Sequence, residues 1–144
     1  MEGVDAISEL AERLVHIQED VNDMLRDSYN EIAPILEDEN IAQLQQGQRS
    51  DESILPNYSF TSVHLYGKPA GPIKLYETGD FYHRIKVTAD EQGITVEGLD
   101  PKTEMLEFRY GPLIIGIMLS RLEQVKNDYI VELMQDKLRV RLTR

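Results

Sequence analysis

The 144-residue chain contains no cysteine and no tryptophan, and it has only three histidines and three phenylalanines. Without cysteine there is no disulfide, no thiol nucleophile and no cysteine-ligated zinc. His16, His64 and His83 are far apart, and none has a second histidine within four residues. That spacing predicts no metal site. No G-x-S-x-G elbow, Walker loop or G-x-G-x-x-G motif is present. Gly67-Lys-Pro-Ala-Gly71 has the look of a phosphate loop but is followed by no helical pattern, so it reads as a turn. Acid pairs such as Glu77/Asp80 and Asp100/Glu104 arise readily among 26 carboxylates. A glycosidase would usually add aromatic sugar platforms, and tryptophan is missing. The expectation is therefore a protein that is not an enzyme and carries no cofactor.

Long apolar runs are also lacking. The longest, Leu113 to Leu119, is interrupted by Gly116 and is far too short to span a bilayer. The opening MEGVDAISEL is acidic and amphipathic, which predicts no secretory leader. Basic stripes interleaved with aromatics are absent too, so direct nucleic-acid binding is not expected.

What the chain does have is a lopsided charge. Its formal net charge is −11. Residues 1–52 hold 14 acids and 3 bases, whereas residues 53–144 hold 12 of each. The first third would repel a phosphate backbone. It is either a solvated helix face or an arm for a basic partner. Lys137, Arg139, Arg141 and Arg144 close the chain, and cations there complement a helix C-terminus.

The periodicities predict an α+β fold with N-terminal helices, a small antiparallel sheet with a β-hairpin, and a long C-terminal helix. The chain reads as a single domain: an acidic helical arm over 1–46, a long loop over 47–72, a β region over 73–99 and a helical part over 100–144. In the first helix, expected over 5–28, Ile7, Leu10, Leu14, Ile17, Val21 and Met24 form a heptad seam. The seam packs either within the chain or against another chain or copy. Pro34 should break or restart the helix, and Gly47 should stop the next one. Residues 46–71 are rich in turn formers, which predicts a functional or partner-ordered loop. Ile73, Leu75 and Tyr76 suggest a first short strand. Residues 84–97 alternate as a hairpin about Asp90-Glu-Gln-Gly93. Lys102–Tyr110 should be helical and end at Gly111-Pro112, and Leu113 to Ile117 should be a buried link. Ser120 to Glu123 has the form of a capping box opening the last helix.

One stretch stands out: Leu75, Thr78, Gly79, Asp80, Phe81 and Tyr82, within Ile73–Val87. On physical grounds it is a corner in which Thr78 caps a short turn, Gly79 allows tight geometry, and Phe81 and Tyr82 pack inward. Together with Asn40–Gly47, Ile54–Ser59, Thr61, Gly71–Tyr82, Asp100–Thr103, Leu106, Tyr110-Gly111 and Gly116, it resembles a family of small proteins of crAss-like and related phages and prophages. The resemblance covers roughly residues 38–118. The L-x-[DE]-T-G-x-[FL] core is also similar to phage tail-completion and minor-tail families. The resemblance implies a virion structural protein at a neck, head–tail connector or tail, assembled in the host cytoplasm. Its partners would be other virion proteins (portal, ring or tail subunits), with self-association in a ring. It brings no catalytic residues, and it does not extend to the heptad helix or past Gly116. The competing reading is a non-structural acidic regulator, antitoxin-like, that masks a basic partner.

Overall fold

A computed structural model describes residues 2–142. The helix α1 runs Glu2–Glu31, longer at both ends than its seam alone predicts. A single residue, Ile32, separates it from α2, Ala33–Gln45, with Pro34 in the first turn of α2. There its missing N–H costs nothing, because first-turn amides have no intrahelical acceptor. Gly47 ends α2 with φ +68, as expected. Its N–H bonds Leu44 O at 2.9 Å and the next amide, Gln48, bonds Gln43 O at 2.9 Å, which is a Schellman closure.

The segment expected as one long loop is folded more tightly than its composition suggests. It contains a short helix α3, Phe60–Leu65, capped by the Ser59 side chain. Leu55 N bonds Gly47 O at 2.7 Å, Ser50 N bonds Leu113 O at 2.8 Å, and Ile73 N bonds Pro56 O at 2.8 Å. Arg49 donates to Tyr110 O at 2.7 Å and Ile54 O at 3.0 Å. Backbone polar groups that hydrophobic patterning cannot locate are thereby paired across the loop.

The strand expected at Ile73–Tyr76 does not form. The nearest pairing is an isolated bridge between Asn57 and Pro72, just before this stretch. Leu75 has φ +54, a left-handed conformation that no strand accommodates. After it comes a one-turn helix α4, Asp80–His83. The hairpin is as expected: β1, Ile85–Asp90, pairs antiparallel with β2, Gly93–Gly98, with Val87 opposite Val96. The open edge of β1 is covered by helix side chains. Glu37 accepts from Val87 N at 3.1 Å, and Asn30 both accepts from Ala89 N at 2.8 Å and donates to Ala89 O at 3.0 Å. An edge protected in this way offers no template to another strand.

Helix α5, Thr103–Tyr110, stops at Gly111 as expected, and a 3-10 turn covers Pro112–Ile114. In the following link Ile114 and Ile117 are buried, but Leu113 is exposed, contrary to expectation. The capping box is also absent. Helix α6, Leu119–Val125, has Met118 at its N-cap, so Ser120 already lies inside the first turn. Met118 is fixed by a bond from its N–H to Gln43 Oε1 at 2.6 Å, and its carbonyl takes Leu122 N at 3.0 Å, which starts the helix early. A π-helical turn, Lys126–Ile130, joins α6 to α7, Val131–Leu142.

The core has two parts. Ile32, Leu36, Val87, Ile117, Val125 and Ile130 form one. Leu44, Leu55, Phe81, Tyr82, Ile85 and Ile114 form the other. Helix α2 and strand β1 supply residues to both. Asn40 and Gln43 are fully buried between them and grip the link before α6. Asn40 donates to Ile114 O at 3.1 Å and accepts from Gly116 N at 2.9 Å. Gln43 donates to Gly116 O at 3.0 Å besides holding Met118 N. Two side-chain amides thus satisfy an extended segment that has no strand neighbour.

Candidate assembly surfaces

The heptad seam of α1 has two environments. Its C-terminal part packs on α7. The Ser28 hydroxyl lies 3.7 Å from Met134 Sδ, Lys137 pairs with Glu31 at 2.9 Å, and Arg141 pairs with Asp20. The two helices are antiparallel, and the basic end of α7 meets acids of α1 directly. Direct pairing with acids of α1 thus adds to the helix-dipole complement that the sequence suggests for these cations; Arg144 lies outside the described residues. Val21 and Met24 are half-buried in this region.

From Gly3 to Glu19 no described element covers α1. Residues 3–19 are exposed throughout, so Ile7, Leu10, Leu14 and Ile17 face solvent, Leu14 being 58% exposed. This free arm is roughly 27 Å long at 1.5 Å per residue. It has no glycine or proline between Gly3 and Pro34, hence no hinge. Asp5, Glu12 and Glu19 recur every seven residues on the side away from the seam. Arg13 is the arm's one Lys or Arg residue, and it is held by Glu9 at 2.7 Å. That pair is exposed and contributes little stability.

The corner residues build one wall of a second surface. Gly79, not Thr78, occupies the N-cap of α4, with φ +86. Thr78 is exposed and accepts only a long 3.4 Å bond from Asp80 N, and Asp80 is exposed as well. Phe81 and Tyr82 are buried as expected, and Leu75 is half-buried against the same cluster. Tyr82 donates its hydroxyl to Lys74 O, which fixes the left-handed bend at Leu75. Burial raises the Tyr82 phenol well above its ordinary value, and Tyr58 and Tyr76 add to the effect. The Tyr76 and Tyr82 rings meet at 5.4 Å between centroids.

In front of this wall lies an open groove of about 720 Å³ between the α3 segment and α5. Ile73, Leu75 and Phe81 line it on one side, and Met105, Leu106 and Tyr110 on the other. Four cations border it (Arg49, Lys68, Lys102 and Arg109) against two carboxylates, Glu77 and Asp80. Lys102 lies 3.6 Å from Glu77. Lys68 reaches Tyr76 O at 3.3 Å and sits over the Tyr58 ring, and Arg109 sits over Tyr110 at 5.5 Å. Neither Lys68 nor Arg109 pairs with a carboxylate among the described residues. Outside this lining, Phe60, Leu65 and Tyr66, from and just after α3, and Phe108 of α5 are also exposed, Phe108 to 93%. A groove with an apolar lining and a cationic border has the character of an interaction site.

No family model, curated protein or solved structure matches the chain. Two surfaces therefore remain to be explained from their own chemistry. Sequence reasoning found the arm by its heptads and the corner by its motif. It missed the groove, because Lys68, Lys102 and Arg109 stand in separate segments and only the fold brings them together. Asn40 and Gln43 lay within a motif block, but nothing in their spacing marked them as buried. Among the described residues no acidic or histidine cluster is arranged to hold a metal ion, and no helix is long and apolar enough to cross a membrane.

Proposed function

We propose that the chain is a structural protein of a bacteriophage virion, working by protein–protein contact at a neck, head–tail connector or tail-completion position. The observation that carries this reading is the free arm: a rigid helix that presents Ile7, Leu10, Leu14 and Ile17 to solvent along one stripe. A monomer working alone gains nothing from holding that stripe in water, since burying each such side chain is worth about 1.5–3 kcal/mol. An assembly subunit recovers that energy on docking. The phage-type blocks at Asn40–Gly47 and Gly71–Tyr82 support the virion setting. The acidic arm also favours a second reading, a soluble regulator that covers a basic partner.

Mass spectrometry of purified particles tests the proposal. A virion component is present at fixed stoichiometry to the capsid protein and sediments with particles from an infected-cell lysate. A chain found only in the soluble fraction rejects the virion role in favour of the regulator.

A further inference from the structure

We propose that the free arm of one copy docks in the α3/α5 groove of another, so that copies associate head to tail. This deepens the assembly reading by naming the partner of the arm as a second copy of the same chain. Each surface has what the other lacks. The arm offers a narrow aliphatic stripe with carboxylates beside and behind it. The groove offers an apolar floor of Ile73, Leu75 and Phe81 with the exposed Met105 at its margin and a cationic border that includes Lys68 and Arg109. Over residues 2–19 the arm carries Glu2, Asp5, Glu9, Glu12 and Glu19 against Arg13, whereas the groove has the opposite sign. Opposite potentials set orientation and speed encounter.

The occupant has to come from another molecule. Residues 3–19 are exposed with no described element over them, and the helix has no glycine or proline hinge between Gly3 and Pro34 by which the arm could fold back. Pairing two arms with each other would bury the stripe but leave the groove's Met105 and its cationic border in water. Docking arm to groove covers both surfaces with one contact. Half the side of a helix roughly 27 Å long and about 12 Å wide is about 500 Å² per partner. The total of about 1,000 Å² lies at the lower end of specific interfaces, which fits association in the micromolar range. Because the two surfaces differ, the contact is heterologous. It repeats from copy to copy and gives a ring where the rotation closes.

Complementation tests this with the full-length purified chain in sedimentation velocity. The arm variant carries Leu14→Asp and Ile17→Asp, and the groove variant carries Met105→Asp and Arg109→Glu. The wild type should form species beyond a dimer as concentration rises, and 0.5 M salt should weaken them several-fold. Each variant alone should stay monomeric, and an equimolar mixture should give a heterodimer and nothing larger. A groove variant that associates like wild type would show arm-to-arm pairing and overturn the proposal. So would a wild type that remains monomeric, or a mixture that forms no heterodimer. Should a variant fail to fold, the absence of native cysteine provides a milder route. Single thiols from Leu10→Cys and Met105→Cys, mixed and oxidised, should cross-link to each other. Cross-linking confined to Leu10→Cys with itself rejects the proposal. A failure in any of these solution experiments leaves the particle measurement unaffected, so the two readings are separable.

Discussion

Gln43→Met should be among the most damaging single changes in this chain, although it removes a polar residue from the core. Gln43 is completely buried and makes two bonds to one extended segment, to Gly116 O at 3.0 Å and from Met118 N at 2.6 Å. Methionine matches its length and flexibility, so packing is nearly preserved. The carbonyl of Gly116 and the amide of Met118 then lose their partners beside a closed core. Each orphaned group costs about 1–3 kcal/mol, and removing the buried side-chain amide returns part of that. A net loss of about 2–4 kcal/mol follows, against a total stability of about 5–15 kcal/mol for a domain of this kind. With a urea m-value of about 2 kcal/mol/M, the unfolding midpoint should fall by roughly 1–2 M. Circular dichroism at 222 nm reads the transition. Gln45→Met, two residues on and exposed, serves as control and should change stability by less than about 0.5 kcal/mol. If the two variants unfold at the same urea concentration, the amide grip on the link does not contribute as argued.

Three further outcomes are expected. Gly79→Val should destabilise by about 1–3 kcal/mol in thermal unfolding, because φ +86 is strained for a β-branched residue and a Cβ there would lie 3.1 Å from the Tyr76 ring; a variant melting like wild type refutes the corner. Tyr82→Phe should cost about 1 kcal/mol at neutral pH through loss of its bond to Lys74 O. Because the folded-state phenol is raised, its contribution is full below the ordinary value of about 10 and declines as pH climbs toward the folded value. Denaturation curves from pH 7 to 11 should therefore fall less for Tyr82→Phe than for wild type, and parallel curves would count against the burial argument. Leu14→Asp with Ile17→Asp should leave the thermal midpoint within a few degrees of wild type, since both side chains are exposed; outright unfolding would place the arm in the protein's own core.

Local signals set most of the helices. Pro34, Gly47 and Gly111 punctuate because each acts on its own backbone, and the hairpin was legible because Ile85 and Val87 alternate with Lys86 and Thr88. The failures have a common physical origin. Ile73 to Tyr76 has strand-like composition, yet the long-range bond from Tyr82 to Lys74 O holds a left-handed bend at Leu75. Ser120 and Glu123 have capping spacing, but Gln43, 75 residues away, anchors Met118 and moves the helix start. The groove depends on segments far apart in sequence, and Phe108 has no periodic partner to betray its exposure. The seam alone could not reveal that it changes environment near Asp20.

The π-helical turn at Lys126–Ile130 bears on how the two ends of the last helix are aimed. Val125 and Ile130 are both buried in the same core cluster, five positions apart. In a regular α-helix that interval would turn one of them about 140° away from the other. The wider turn absorbs the extra residue and restores both to the core. It therefore acts as a phase adjuster, rotating α7 so that Met134 and Arg141 are presented to α1. Since α7 ends alongside Asp20, the point at which α1 stops being body and becomes arm is set by a single surplus residue more than a hundred positions later.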